Sequence, residues 1–279
     1  MQQENRFNEI QRLQEMVKAN MANVKHKIIV LSGKGGVGKS TVATNIACGL
    51  AQLGKKVGII DTDIHGPSLA KMLGIEGQFM QPGDGEHSMK AVEAKGIKIA
   101  TMASLLPDAD APVIWRGPLK ISAIKQFIGD VVWGPLDYLV IDSPPGTGDE
   151  PLTVAQLIPE ADGAIIVTTP QDVALIDSRK TVNFARAMKL NVLGIIENMS
   201  GFSCPHCHQP IDLFKVGGGQ QTAINMGVPF LGAIPIDRDA VDASDDGTPL
   251  VLEYPDSHAG KAFKEIIDRL VETIEQVHG

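Results

Sequence analysis

Gly33-Lys34-Gly35-Gly36-Val37-Gly38-Lys39-Ser40-Thr41 is the stretch that decides how this chain folds. It fits the pattern GxxxxGK[ST] and stands in the context that pattern needs. The apolar run Ile28–Leu31 before it predicts a strand, and Thr41–Leu53 after it predicts a helix that Gly54 stops. Glycines let the backbone curl until successive N–H groups point at phosphate oxygens, and the helix N-terminus adds its dipole. All nine residues, Gly33 to Thr41, are therefore candidates for binding Mg-ATP. Lys39 is expected to neutralise the β- and γ-phosphates, and the Ser40 hydroxyl to take a place on Mg2+.

Outward from the loop, two acidic motifs complete a phosphate site. The apolar run Val57–Ile60 leads into Asp61-Thr62-Asp63, and Tyr138–Ile141 leads into Asp142-Ser143-Pro144-Pro145-Gly146-Thr147-Gly148. Ligands of open α/β sheets sit beyond the carboxyl ends of strands, where these aspartates fall. Asp142 is the candidate for holding Mg2+, Asp61 belongs to the nucleotide site, and Asp63 is placed to orient or deprotonate the attacking water. An aspartate after a strand is more often a helix cap or a loop residue. Three phosphate-site elements in the correct order favour the chemical reading.

Further apolar runs recur at Lys27–Leu31, Ile97–Thr101, Ala164–Thr168, Val192–Ile196 and Phe230–Ile234. Most are continuous rather than alternating, as in strands covered on both faces. Helices are expected over Ser40–Leu53, Ser178–Met188 and Ala259–Val277, and Glu76–Lys90 reads as a loop or hairpin. The fold class is α/β: a mainly parallel sheet flanked by helices on both faces, the P-loop NTPase fold. Residues 24–279 read as one ATPase domain, and residues 1–23 as a helical extension with Phe7, Ile10, Leu13 and Val17 at helical spacing.

The chain has 279 residues and a net charge of -8, which argues against a broad nucleic-acid surface. It holds no apolar run long enough to cross a bilayer, and its start lacks the apolar core of a secretory signal. The C-terminal helix mixes Glu265, Asp268, Glu272 and Glu275 with Lys261, Lys264 and Arg269, unlike a basic membrane-surface helix. A cytoplasmic protein with no nucleic-acid and no membrane partner is expected. Of three cysteines, Cys48 sits among small apolar residues and reads as inert packing. Cys204 and Cys207 form a Cys-x2-Cys pair of soft ligands, suited to an iron–sulfur cluster, zinc or copper(I). Zinc would use these thiolates with or without His206 or His208. A redox pair is a weaker alternative, and the CxxCH haem signature reads as coincidence in a chain without export signals.

Lys34 gives the loop a second lysine near its start, and Lys-Gly-Gly-Val-Gly-Lys-Ser-Thr resembles the deviant Walker A of the MinD/ParA group. Asp61-Thr62-Asp63-Ile64-His65-Gly66-Pro67-Ser68, Trp115-Arg116-Gly117-Pro118, Asp142–Asp149, Glu197-Asn198-Met199-Ser200 and Cys204-Pro205-His206-Cys207 look like the Mrp/ApbC family of ATPases that carry iron–sulfur clusters. The resemblance implies a homodimer with slow ATP hydrolysis, in which Lys34 acts on the partner's nucleotide. It also implies that Asn198 reads the adenine edge, with Pro235 and Asp237 beside the base. Cys204 and Cys207 would supply cluster thiolates, and apo iron–sulfur proteins would receive the cluster. Two thiolates per chain against four per [4Fe–4S] cluster point to a cluster shared across a two-fold axis, with zinc possible in purified protein. The rival readings are a positioning ATPase, a nitrogenase-iron-protein-like electron donor and a zinc-stabilised regulatory ATPase. Arg116 and Gln171-Asp172 match the family pattern without a physical role.

Overall fold

The structure, a computed structural model, describes residues 2–63, 66, 68–85, 88–105, 117–203, 207, 209–211 and 215–278. Cys204, His206, His208 and the Trp115-Arg116 pair lie outside the described residues. The first half of the chain runs α1 (Gln2–Met21), β1 (Val24–Ser32), α2 (Lys39–Gln52), β2 (Val57–Asp61), α3 (Leu69–Met72), β3 (Gln81–Pro82), β4 (Met89–Lys90), β5 (Val92–Ala94) and β6 (Ile97–Thr101). It continues through α4 (Gly117–Asp130), β7 (Val131–Val132), β8 (Leu136–Asp142), α5 (Asp149–Leu157), β9 (Gly163–Thr168), α6 (Asp172–Ala187) and β10 (Val192–Glu197). The last part holds β11 (Phe202–Ser203), β12 (Pro210–Ile211), α7 (Gly218–Met226), β13 (Phe230–Ala233), α8 (Arg238–Asp245), α9 (Leu250–Glu253) and α10 (His258–His278).

Eight strands form one sheet in the order β13-β10-β9-β1-β8-β2-β6-β5. Every neighbouring pair is parallel except β5 with β6, which is antiparallel and closes one edge. Alternate residues of a strand face opposite sides, so both faces of β1 must be covered. Ile28 and Val30 enter a core with Val42, Ile46, Phe263 and Leu270, from α2 and α10. Ile29 and Leu31 enter another with Val17, Ile124, Phe127 and Val154, from α1, α4 and α5. That two-sided burial is the reason the strand carries no polar alternation.

Helix α10 buries Phe263, Ile266, Ile267, Leu270 and Ile274, the face expected from their spacing. Helix α1 lies on α4: Val17 and Met21 are buried, and Asn20 Nδ2 donates to the Gly129 carbonyl at 2.5 Å. Within the expected loop or hairpin at 76–90, β3 and β4 pair antiparallel, with Gln81 opposite Lys90 and Pro82 opposite Met89. Helix α6 begins at Asp172, six residues before the expected Ser178, because its first turns carry outward-facing Val173 and Ile176 that hide the apolar period. No described helix is long and apolar enough to cross a membrane.

Candidate nucleotide and thiolate site

The parallel register brings the carboxyl ends of β1, β2 and β8 together. Val30 is the register partner of Asp142, and Asp142 that of Asp61. The loop leaves β1 at Ser32, whose hydroxyl donates to the Lys34 carbonyl at 3.0 Å. Helix α2 starts at Lys39, which is buried and ion-paired to Asp142 Oδ1. Ser40 Oγ lies 3.4 Å from the Lys39 ammonium.

Asp61 and Asp142 have no solvent exposure. Burial pushes the Asp61 carboxyl well above the usual range, and the neighbouring Asp142 charge adds to this against the pull of Lys39. Burial likewise raises Asp142, opposed by Lys39 and the Ser40 hydroxyl. Asp61 also organises the turn beyond β2: its Oδ1 accepts the Asp63 N–H at 2.9 Å, and Thr101 Oγ1 donates to Oδ2 at 3.4 Å. Asp63 itself is half-buried, and its Oδ1 accepts from the Gly66 N–H at 3.4 Å.

These residues fit a divalent cation. Asp142 Oδ2 is buried and has no hydrogen-bond partner, beside the Ser40 hydroxyl, in a cluster with more carboxylates than ammonium groups. An oxygen pair of this kind is the hard donor set Mg2+ takes, with phosphate and water completing the shell.

A cleft of ≈ 400 Å³ opens beside the loop, lined by Gly38, Thr41, Met72, Asn198, Met199, Pro235, Ile236, Asp237 and Val241 among others. Asn198 Nδ2 donates to the Val37 carbonyl at 2.9 Å, so this side chain touches the loop directly. Asn198 and Pro235 both stand in the cleft wall. Asp237 is also in the wall, but its carboxylate is engaged: it caps α8 through the Asp239 N–H at 3.1 Å and accepts the Ala259 N–H at 3.2 Å. A larger hollow of ≈ 560 Å³ between Lys56, Val57, Glu93, Ile97 and Leu136 lies at the opposite ends of the strands, where β2, β6 and β8 begin.

Strands β11 and β12 pair antiparallel, Phe202 with Ile211, and residues 204–209 join them. Cys207 is exposed. Cys48 is buried, and burial pushes its thiol up to about 12. Sequence reasoning gave no role to Glu197. It ends an apolar strand, is fully buried, and its carboxylate accepts hydrogen bonds from Ser200 Oγ and the N–H groups of Gly217 and Gly219. A charged residue closing a continuous apolar run was the available signal; its partners, about twenty residues on, were not legible.

Fold and loop together define a P-loop nucleotide-binding protein. Residues 23–271 match the ParA family described as NUBPL iron-transfer P-loop NTPase, and the chain belongs to that family. An iron-sulfur cluster carrier protein of Methanocaldococcus jannaschii is 53% identical over 260 residues, covering 93% of this chain and 88% of that protein. A cytosolic Fe-S cluster assembly factor of Bos taurus, NUBP2, is 44% identical over 90% of this chain and 94% of its own length. Among solved structures, a nucleotide-binding protein of Archaeoglobus fulgidus in complex with ADP, with cobalt, shares 40% identity at a TM-score of 0.74. That likeness covers 86% of this chain and 93% of the other.

Proposed function

We propose that this protein is an ATP-binding and ATP-hydrolysing carrier of iron–sulfur clusters that acts as a homodimer and passes a [4Fe–4S] cluster to apoproteins. The observation that carries the reading is the shared foundation of two chemistries. Strand β10 ends at Glu197; the next residue, Asn198, lines the nucleotide cleft, and the chain then enters β11 of the Cys207-bearing hairpin. The names of the relatives support the same reading.

In the nucleotide site, backbone N–H groups of Gly33 to Gly38 cradle phosphate oxygens and Lys39 turns its charge to the β- and γ-phosphates. Ser40 and Asp142 hold Mg2+, which supplies positive charge to those phosphates when bound. Asp63 aligns the attacking water, and Asn198 and Pro235 border the base. Lys34 of each copy reaches the partner's phosphates. Cys204 and Cys207 of both copies provide four thiolates for the cluster, which is cargo rather than a resident cofactor.

The deciding experiment is anaerobic reconstitution with iron and sulfide. Iron, acid-labile sulfide and zinc are then assayed, and transfer to an apo-acceptor is followed by the acceptor's activity. Near four irons per dimer, lost in Cys204→Ala and Cys207→Ala while ATP hydrolysis persists, is expected. Four irons per monomer, or a cluster that survives loss of both cysteines, defeats the bridging arrangement. Zinc alone, with no transfer, defeats the carrier reading.

A further inference from the structure

The chain leaves β10 at Glu197 and returns to regular structure at the start of α7, with the cysteine hairpin between. Both ends of that excursion are fastened to one carboxylate. On the exit side, Ser200 Oγ donates to Glu197 Oε1 at 2.5 Å. On the return side, the Gly217 N–H donates to Oε1 at 2.9 Å and the Gly219 N–H donates to Oε2. The packing is close enough that a Cβ on Gly219 would stand 3.0 Å from Glu197 Cβ. Helix α7 has no capping side chain of its own, with Gly217 at the cap position. Glu197 takes that place from a distant strand, and its negative charge sits at the positive end of the helix.

The same few residues hold the base cleft. Asn198, next in sequence, bonds the Val37 carbonyl of the phosphate loop. The Ser200 N–H donates to the Ile234 carbonyl at 2.9 Å, and the Ile236 N–H to the Gly201 carbonyl at 2.8 Å. Phe202 bridges Ile236, so the first hairpin strand is hydrogen-bonded to the 234–237 wall. Cleft wall, hairpin base and helix cap therefore form one connected unit, and whatever orders one part orders the others.

We propose that Glu197 is a positioning residue that couples the nucleotide cleft to the cysteine hairpin, so that a nucleotide in the cleft slows the departure of metal from the hairpin. Its metal half rests on the proposed carrier function. Coupling between two sites is reciprocal, and typical values correspond to roughly 5–150-fold.

The test loads full-length protein with Zn2+ and follows its release to a chromogenic chelator with and without Mg-ADP. Hydrogen exchange at the Gly217 and Gly219 amides is measured alongside. In the wild type, Mg-ADP should slow release by roughly fivefold or more and protect both amides. Glu197→Gln keeps the shape but presents an amide to two N–H donors; it should bring the release ratio close to one while ADP affinity of the metal-free protein stays within about threefold. Ser200→Ala, which loosens the exit side alone, should fall between the two, and it carries the test if Glu197→Gln does not fold. A Glu197→Gln ratio equal to that of the wild type overturns the proposal. Zinc that stays bound to wild-type cysteines but leaves at an ADP-independent rate overturns the coupling and spares the carrier function. If zinc does not bind the cysteines, the amides decide alone: ADP protection of Gly217 and Gly219 that is lost in Glu197→Gln sustains the Glu197 link, and protection unchanged in Glu197→Gln overturns it.

Discussion

Asp61 and Asp142 are register partners on adjacent parallel strands, both without solvent exposure, and the Lys39 ammonium is ion-paired to Asp142. Neighbouring strands lie about 4.8 Å apart, so two carboxyl groups share one small dry volume. Burial raises both, and each is sensitive to the other's charge or to Lys39. Lys39 thus has a structural duty at this point beside the phosphate role proposed for it.

The first prediction follows from that double duty. Lys39→Ala should abolish ADP binding by calorimetric titration, because the loop loses its fixed charge. It should also destabilise the fold by about 3–5 kcal/mol in urea denaturation, the usual consequence of stranding a buried charge. Combining it with Asp142→Asn should restore much of that stability without restoring binding, since the stranded charge is gone. Wild-type ADP affinity in Lys39→Ala would remove the proposed site.

How much of this was open to reading from the chain differed by element. The apolar runs that became β1, β2, β8 and β9 were legible because both faces of each strand are covered, leaving long unbroken apolar stretches. Strand β5 was not, since Val92-Glu93-Ala94 is short, half-buried and at the sheet edge. The phosphate loop was legible because its geometry is local: consecutive residues carry all of it. Asp237, expected beside the base, lines the cleft, yet its carboxylate serves α8 and Ala259, a partnership set by a helix start twenty-two residues away. Glu197 escaped for the same reason, as burial and long-range partners define it and neither leaves a sequence pattern.

The second prediction concerns thiol reactivity and pH. Burial raises the Cys48 thiol from 9.0 to about 12, so at pH 8 it stays in the unreactive thiol form. Iodoacetamide should label exposed Cys207 in the native protein and leave Cys48 unmodified until denaturant is added. The sign for stability follows from the same shift. Above pH 9 the unfolded chain ionises this thiol and the folded one does not, so stability should fall as pH climbs from 9 towards 12. Cys48→Ala should flatten that part of the profile. Rapid native labelling of Cys48 at pH 8 would contradict the burial argument.

Lys34 and Asp63 yield the third prediction, which rests on the proposed dimer. Lys34→Ala should bind nucleotide and hydrolyse it poorly; Asp63→Ala should do the same for a different reason. Positive charge supplied in trans is worth roughly 10³–10⁵ in rate in the best-characterised cases, and a slow enzyme will show less. Mixed dimers of the two variants assemble one site with both groups intact, so part of the activity should return. Verified mixed dimers with no recovery would place Lys34 in its own chain's site.

The last prediction separates two glycines of the phosphate loop that share one backbone conformation. Gly36 and Gly38 have φ of 81° and 79°, where an L side chain costs about 1–2 kcal/mol. Alanine at either position should therefore lower fold stability to a similar extent through the backbone alone. Their surroundings differ. A Cβ on Gly36 would meet open space, whereas a Cβ on Gly38 would fall 2.2 Å from Asn198 Nδ2. Gly38→Ala must push Asn198 away from the Val37 carbonyl and out of the base cleft. It should weaken ADP binding by roughly tenfold or more, consistent with one charge-free contact network lost, and it should erase the preference for ATP over GTP in competition titrations. Gly36→Ala should keep that preference even where overall affinity drops. If both variants discriminate the bases as the wild type does, Asn198 has no part in reading the purine, and the cleft beside Gly38 is a passive neighbour of the phosphate site.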